Sequence, residues 1–228
     1  PQLHSVKNPG GARRQLTFLP EPVRGGGWQP KSAKAIIFSQ DSGGGENFQF
    51  LRFDPSSGRI TLLTDGKSRN TDLRWSHDGS RFAFASTRRN GTDTDLWIMD
   101  PDHPDQQKLL TERKGGGWSV TDWSHDGRTL VVSESISANE SHLWLVDVAS
   151  GKIEPLTDRS AGAVSRNGAQ FSPDGKSLFF TSDEGSDFLR LGRFDLATRQ
   201  FTPLTTDIPW NVEEFALSPD GNSIALVI

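Results

Sequence analysis

Three landmarks recur along the chain with one shared period. The first is a turn-like tetrapeptide after an apolar residue: Trp-Ser-His-Asp-Gly at 75–79 and 123–127, Phe-Ser-Pro-Asp-Gly at 171–175 and Leu-Ser-Pro-Asp-Gly at 217–221. The second is Leu-Thr, at Leu16-Thr17, Leu63-Thr64, Leu110-Thr111, Leu156-Thr157 and Leu204-Thr205. The third is an aspartate closing an apolar run, at Asp54, Asp100, Asp147 and Asp195. All three advance by about 47 residues per step. A period of that length is one supersecondary unit that cannot bury its apolar face alone and must stack on its neighbours.

Each unit reads as four short strands. In the third these are Ser119–Ser124, Thr129–Ser135, His142–Val148 and Lys152–Thr157, runs rich in Val, Leu, Trp and Thr and bounded by Gly, Asp, Asn or Ser. No stretch sustains a 3.6-residue apolar period, so essentially no helix is expected. The second run of a unit is continuously apolar, as in Leu130–Val132, Leu178–Phe180 and Ile36–Phe38, which requires burial of both sheet faces. Pro155 and Pro203 fall in one column of the fourth strand, where a residue without an N–H tolerates only an edge. Four-stranded antiparallel units at this period predict an all-β fold, a β-propeller.

Complete blades are expected at 18–64, 65–111, 112–157 and 158–205, with half blades at 1–17 and 206–228. The first unit is degenerate: Trp28 holds the Trp75 column, but no serine-led turn follows it. Either the halves combine and close a five-bladed ring, or the chain is a piece of a larger one. The chain stops inside the apolar second-strand run of its last unit, so the second expectation is preferred.

Composition narrows the function classes. The 228 residues include 14 Phe and 7 Trp, enough for a core, and 23 Gly with 13 Pro, the signature of many turns. Cys is absent, which removes disulfides and cysteine-based metal sites. A net charge of −4 with no basic cluster argues against a nucleic-acid or anionic-membrane partner, and no apolar run reaches the length of a membrane span. No cofactor or metal is expected.

The adjacent Ser76, His77 and Asp78 carry the three side chains of a hydrolytic triad. Comparison of the four copies assigns them another role. Proline replaces the histidine at Pro173 and Pro219, and a proton-transferring imidazole cannot be exchanged for proline, whereas the first central position of a type I turn can. Triad members also converge in space, not in sequence. Ser76, Asp78 and Gly79, Ser124, Asp126 and Gly127, Ser172, Asp174 and Gly175, and Ser218, Asp220 and Gly221 are therefore expected to form hairpin turns between first and second strands. No catalytic residue is assigned.

Other candidates are weaker. Asp93 and Asp95 can hold a cation, but no further ligands follow at loop-like spacing, so capping of a strand is the preferred role. His4, His103 and His142 share no spacing and are expected at the surface. The two Gly-Gly-Gly-Trp segments, Gly25–Trp28 and Gly115–Trp118, are expected to bend crossovers between blades. Binding is expected on the face carrying the long second-to-third strand loops, at 39–48, 86–95, 133–142 and 182–189. Arg88, Arg89, Asp93, Asn139 and Glu140 are its candidate contacts.

The segments 13–28, 65–101 and 115–147, and above all Thr87–Trp97 and Ile136–Ser141, resemble the N-terminal propeller of prolyl-oligopeptidase-family serine peptidases, in the bacterial acylaminoacyl- and dipeptidyl-peptidase-like branch. The Ser-Pro-Asp-Gly turn and Leu-Thr are shared with TolB-like propellers. The resemblance implies a non-catalytic propeller of a ring of seven or eight blades. It would gate entry of peptide substrates to an α/β-hydrolase domain of the same polypeptide, which would supply the Ser, Asp and His. This chain alone would be inert. In some members an acidic pair in the propeller binds the substrate amino terminus; this chain has no clear match, and Glu140 is its nearest stand-in. The alternative is a stand-alone TolB-like scaffold that binds a protein or peptide. The compartment, bacterial periplasm or cytoplasm, stays open.

Overall fold

A computed structural model describes residues 1–159 and 162–228; the part of the fourth unit at 160 and 161 lies outside the described residues. The chain begins with a hairpin, β1 (His4–Val6) and β2 (Arg13–Gln15). Four antiparallel four-stranded sheets follow. Blade one holds β3 (Val23–Trp28), β4 (Ile36–Gln40), β5 (Gln49–Phe53) and β6 (Ile60–Leu62). Blade two holds β7 (Asn70–Trp75), β8 (Phe82–Ser86), β9 (Asp95–Met99) and β10 (Lys108–Thr111). Blade three holds β11 (Trp118–Trp123), β12 (Thr129–Ser137), β13 (Glu140–Asp147) and β14 (Ile153–Pro155). Blade four holds β15 (Arg166–Phe171), β16 (Ser177–Ser182), β17 (Arg190–Asp195) and β18 (Gln200–Pro203). A last hairpin, β19 (Glu214–Leu217) and β20 (Ile224–Val227), ends the chain. The two terminal hairpins are separate sheets and do not pair with each other, so the propeller is open. The helical content of the described residues is one 3-10 turn, Pro104–Gln106.

The second strands explain the stacking. Side chains alternate across a strand, and here each alternate set enters a different core. Phe82 and Phe84 face blade one, in a cluster with Ile37, Phe50, Leu63 and Met99. Their neighbours Ala83 and Ala85 face blade three, against Trp118, Trp123, Leu130 and Val132. Val131 points the other way, toward Ala169, Phe171, Leu178 and Phe180 of blade four. Ile36 and Phe38 pack with Leu3 and Leu16 of the first hairpin. Each fully buried side chain of this size stabilises the stack by roughly 1.5–3 kcal/mol before entropy is counted.

The other landmarks are hydrogen-bonding devices. Thr17, Thr64, Thr157 and Thr205 each accept, on the hydroxyl, a backbone N–H from 14 residues earlier, those of Leu3, Phe50, Leu143 and Leu191. The threonine thus extends the fourth strand's pairing by one bond. Asp54, Asp100, Asp147 and Asp195 accept backbone N–H groups of the turns that follow, at 2.8–3.0 Å, closing the third-to-fourth strand connections. Pro155 and Pro203 lie on β14 and β18, the outer edge strands.

Three local expectations are corrected. The segment 133–142 is not a long loop: β12 and β13 run through it and leave only Ala138 and Asn139 between them. Alternating Ser, Glu and Ile extend the ladder beyond the apolar run. Gly25–Gly27 lie inside β3, not in a crossover. His142 is almost fully buried, with Nε2 3.0 Å from Glu140, because it occupies an inward position of β13.

Candidate recognition surface

Every complete blade's first strand carries one extra residue. The register slips between Arg24 and Gly27, Thr71 and Arg74, Val120 and Asp122, and Asn167 and Gln170. Such bulges bend a strand and re-aim its side chains. In one column Gly25, Asp72 and Gly168 take left-handed backbone, with φ of 62°, 56° and 68°. Asp72 is tolerated there because a short polar side chain suits that region better than a branched one.

The first strands of blades two to four, with β19, converge on a cavity of about 730 Å3. Its walls come from β7, β11, β15 and β19 and from the turns that follow them. Arg74, Lys31, Asp72 and Asp122 supply charge; Pro173, Pro219 and Leu217 supply apolar surface. A second cavity, of about 640 Å3, shares Asp72 and Ser119 with the first and reaches to Arg69, Thr92 and Ser135 at the loop end.

The Ser-x-Asp-Gly segments form the turns at one end. In all four the glycine N–H donates to the serine carbonyl at 2.9 Å. The serine hydroxyl donates to the aspartate carboxylate at 2.5–2.7 Å. It also accepts the N–H of the residue five positions on, such as Thr129 at 2.9 Å. Ser76 therefore faces its own Asp78, not an imidazole. Those bonds hold the Asp78 carboxyl down at about 2, the Ser76 hydroxyl contributing most.

His77 and His125 reach across the junction between blades two and three. Their rings stack with centroids 3.9 Å apart and planes 16° from parallel. His77 Nε2 donates to the Trp123 carbonyl at 2.9 Å. Asp122 accepts the Phe171 N–H at 2.8 Å. Burial raises its pKa, opposed by the Phe171 and Trp123 N–H groups and by the two histidines. Partial burial and then the charge of His77 lower the pKa of His125, with Asp122 opposing. A sequence signal for this pair existed: equal columns in adjacent blades lie side by side, so histidines 48 residues apart are neighbours.

The five candidate contacts are not gathered in one place. Arg89 forks onto the fully buried Asp95, with bonds of 2.8 and 3.1 Å, and also reaches Asp93 and the Arg113 carbonyl. Asp93 is held by Asn90 and by the Gly115 N–H, which lower its pKa. Both carboxylates of the 93–95 pair are thus engaged in tying the blade-two loop to the crossover before β11. Among the described residues, no group of three His, Asp or Glu side chains is placed to hold a metal. Arg88 bonds Gln107 at 2.7 Å and lies over the Trp97 ring. Asn139 sits exposed at the tip of the β12–β13 hairpin, and Glu140 pairs with His142. No helix among the described residues is long and apolar enough to cross a membrane.

The model of the dipeptidyl peptidase IV N-terminal region matches residues 32–228. The uncharacterized peptidase YuxL of Bacillus subtilis is 28% identical over 166 residues, 58% of this chain and 24% of that protein. Dipeptidyl-peptidase 5 of Porphyromonas gingivalis is 30% identical over 114 residues, 45% of this chain and 16% of that protein. The matched part is therefore under a quarter of either relative's length. Among solved structures, TolB from Acinetobacter baumannii superposes with a TM-score of 0.67 at 20% identity, covering 97% of this chain and 52% of that one. A prolyl endopeptidase structure gives 0.72 at 15% identity, covering 98% of this chain and 35% of that one. At such identity these two report the fold, a propeller of the kind found in both TolB and prolyl-oligopeptidase proteins. The chain belongs to the dipeptidyl peptidase IV N-terminal region family.

Proposed function

We propose that this chain is a non-catalytic propeller that binds a peptide or unfolded protein segment along the converging inner strands. The observation that supports this is the cavity of about 730 Å3, where first strands and the turns beside them bring Arg74, Lys31 and Asp72 together with Pro173, Pro219 and Leu217. Mixed charge and apolar surface on a rigid concave scaffold suits an extended peptide. Fluorescence anisotropy of a labelled short-peptide library against this chain tests it. Arg74→Ala is expected to weaken the best binders at least several-fold with thermal stability unchanged. Equal affinity of wild type and variant for every binder overturns the reading.

A second reading is favoured by the family match and the two peptidase relatives: the propeller gates substrates for a separate α/β-hydrolase domain in the same polypeptide. Asn139 and Glu140, at the tip of the longest hairpin, are then proposed contacts with that domain or its substrate. A full reading frame encoding a G-x-S-x-G segment beside this propeller is expected. Chromogenic dipeptides should be cleaved by the full protein and not by this chain. Turnover by this chain alone would sink both readings.

A further inference from the structure

We propose that the His77–His125 stack is an acid-opened clasp between blades two and three, closing the turn end of the inner-strand cavity. Its geometry carries the inference. Two flat rings from adjacent blades lie 3.9 Å apart at 16°, and both line the cavity. His77 is fixed by its bond to the Trp123 carbonyl, so it cannot turn away while that bond holds. Neutral rings stack at this distance. Two imidazolium charges at this distance repel, and the remaining surroundings do not cancel that repulsion.

The charged groups facing the pair come from every neighbouring element. Lys31 and Arg74 line the same cavity and add positive charge; Asp72 and Asp122 add negative charge. Arg81 lies over the Trp123 ring and donates to the Gly127 carbonyl at 3.0 Å, placing another cation at the base of the blade-three turn. Asp78 and Asp126 are occupied by their own turn hydroxyls. Asp122 thus offers one nearby anion for two histidines, and its carboxylate already accepts a backbone N–H.

The direction with pH follows. The pKa of His125 is lowered from 6.5 in the fold, so the unfolded chain takes the proton first. The clasp's stability is complete above about pH 6.5 and is lost as the pH falls below it. Asp122 acts oppositely. Its raised pKa means that the fold recovers stability as the pH falls through a folded value that lies above 3.8.

The absence of cysteine makes the motion measurable. Spin labels at Ser80→Cys and Arg128→Cys, one beside each turn, report the separation by double electron–electron resonance. Distances are expected to lengthen or broaden between pH 7.5 and 5.5; an unchanged distribution overturns the opening. Histidine-selective NMR on the unlabelled chain supplies an independent reading. His125 is expected to titrate below the ordinary histidine value. A His125 titration at or above the ordinary value overturns the clasp. His125→Phe keeps a flat ring and removes the charge, and should shrink the loss of melting temperature between pH 7.5 and 5.5 by a few degrees. His125→Pro does the same with the residue that Pro173 and Pro219 place in the equivalent turns. A loss equal to wild type in both variants overturns the proposal.

Discussion

Trp75 and Trp123 occupy the same column of adjacent blades, each just before a Ser-His-Asp-Gly turn, yet their surroundings differ. Trp123 is fully buried, and its indole N–H donates to the Arg74 carbonyl at 2.9 Å. Trp75 is half-buried, and its indole nitrogen has no partner. The cause lies in the blade before each. Trp123 packs in a cluster with Ala83 and Ala85, whose small side chains leave room for it and for Trp118. Trp75 meets larger groups, Ile37 and Phe50, and rests edge-on against Phe82 at 5.4 Å. A repeated motif fixes where a residue points, while the neighbouring blade decides how deeply it is buried.

The largest expected effect tests that statement directly. Trp123→Ala removes a buried indole and its hydrogen bond and should cost about 3–5 kcal/mol. Trp75→Ala should cost clearly less, since part of its surface already meets water and no hydrogen bond is lost. Urea denaturation of both variants checks the order. Equal losses would mean that the repeat, not the junction, sets the energetics.

The facing columns give a reciprocal test of intermediate size. Ile37→Ala should open a cavity at the blade one–two junction and cost about 2–5 kcal/mol. Ala83→Ile places the same bulk at the blade two–three junction, where the indoles already fill the space, and should cost about 1–3 kcal/mol through overpacking. Thermal melts of the two single variants and the Ile37→Ala/Ala83→Ile pair report this. The junctions are separate cores, so the two costs should add.

Much of this architecture was legible because its signals are local. Continuous apolar runs, which need both sheet faces buried, announced β4, β12 and β16, and proline announced the outer edges. The Ser-x-Asp-Gly chemistry lies within five residues. What was not legible depended on residues far apart in the chain. The depth of Trp123 depends on Ala83, and the His77–His125 stack depends on two turns meeting across blades. The β12–β13 hairpin was hidden for a different reason: its outer ladder is built from Ser and Glu, which carry no apolar pattern. The candidate contacts were chosen for unpatterned charge, and in Arg89 and Asp93 that charge already has partners within the chain, the buried Asp95 and the Gly115 N–H. Whether a charge is already paired depends on residues that sequence order does not bring together.

A smaller contrast between the same junctions lies in the turn glycines. Gly79 has φ of 73°, and a Cβ there would sit 2.4 Å from the Pro30 carbonyl oxygen of blade one. Gly127 has φ of 68°, but its Cβ would meet only the tip of Arg81, at 3.7 Å. Alanine at either position is strained by about 1–2 kcal/mol. Gly79→Ala should cost more, because backbone cannot yield as a flexible side chain can. Chemical denaturation of the two variants separates the common conformational cost from the contact.

The smallest effect belongs to the aspartates beside those glycines. Asp78 accepts the Ser76 hydroxyl at 2.6 Å, the Ser80 N–H at 3.0 Å and the Ser80 hydroxyl at 2.9 Å, and is held at about 2. Asp126 has the Ser124 hydroxyl at 2.7 Å and the Arg128 N–H at 3.0 Å, without an equivalent of the Ser80 hydroxyl. A carboxyl whose pKa is lower in the fold than in the unfolded chain stabilises above the unfolded value and ceases to do so as the pH falls through the folded one. For Asp78 that window runs from about 4 down to about 2. Its exposure keeps the contribution below about 1 kcal/mol. Asp78→Asn should therefore flatten the acid limb of the stability curve between those pH values, and Asp126→Asn should flatten it less. Equal changes in the two variants would assign the effect to the shared Ser-Asp bond alone and remove the Ser80 contribution from the difference between the turns.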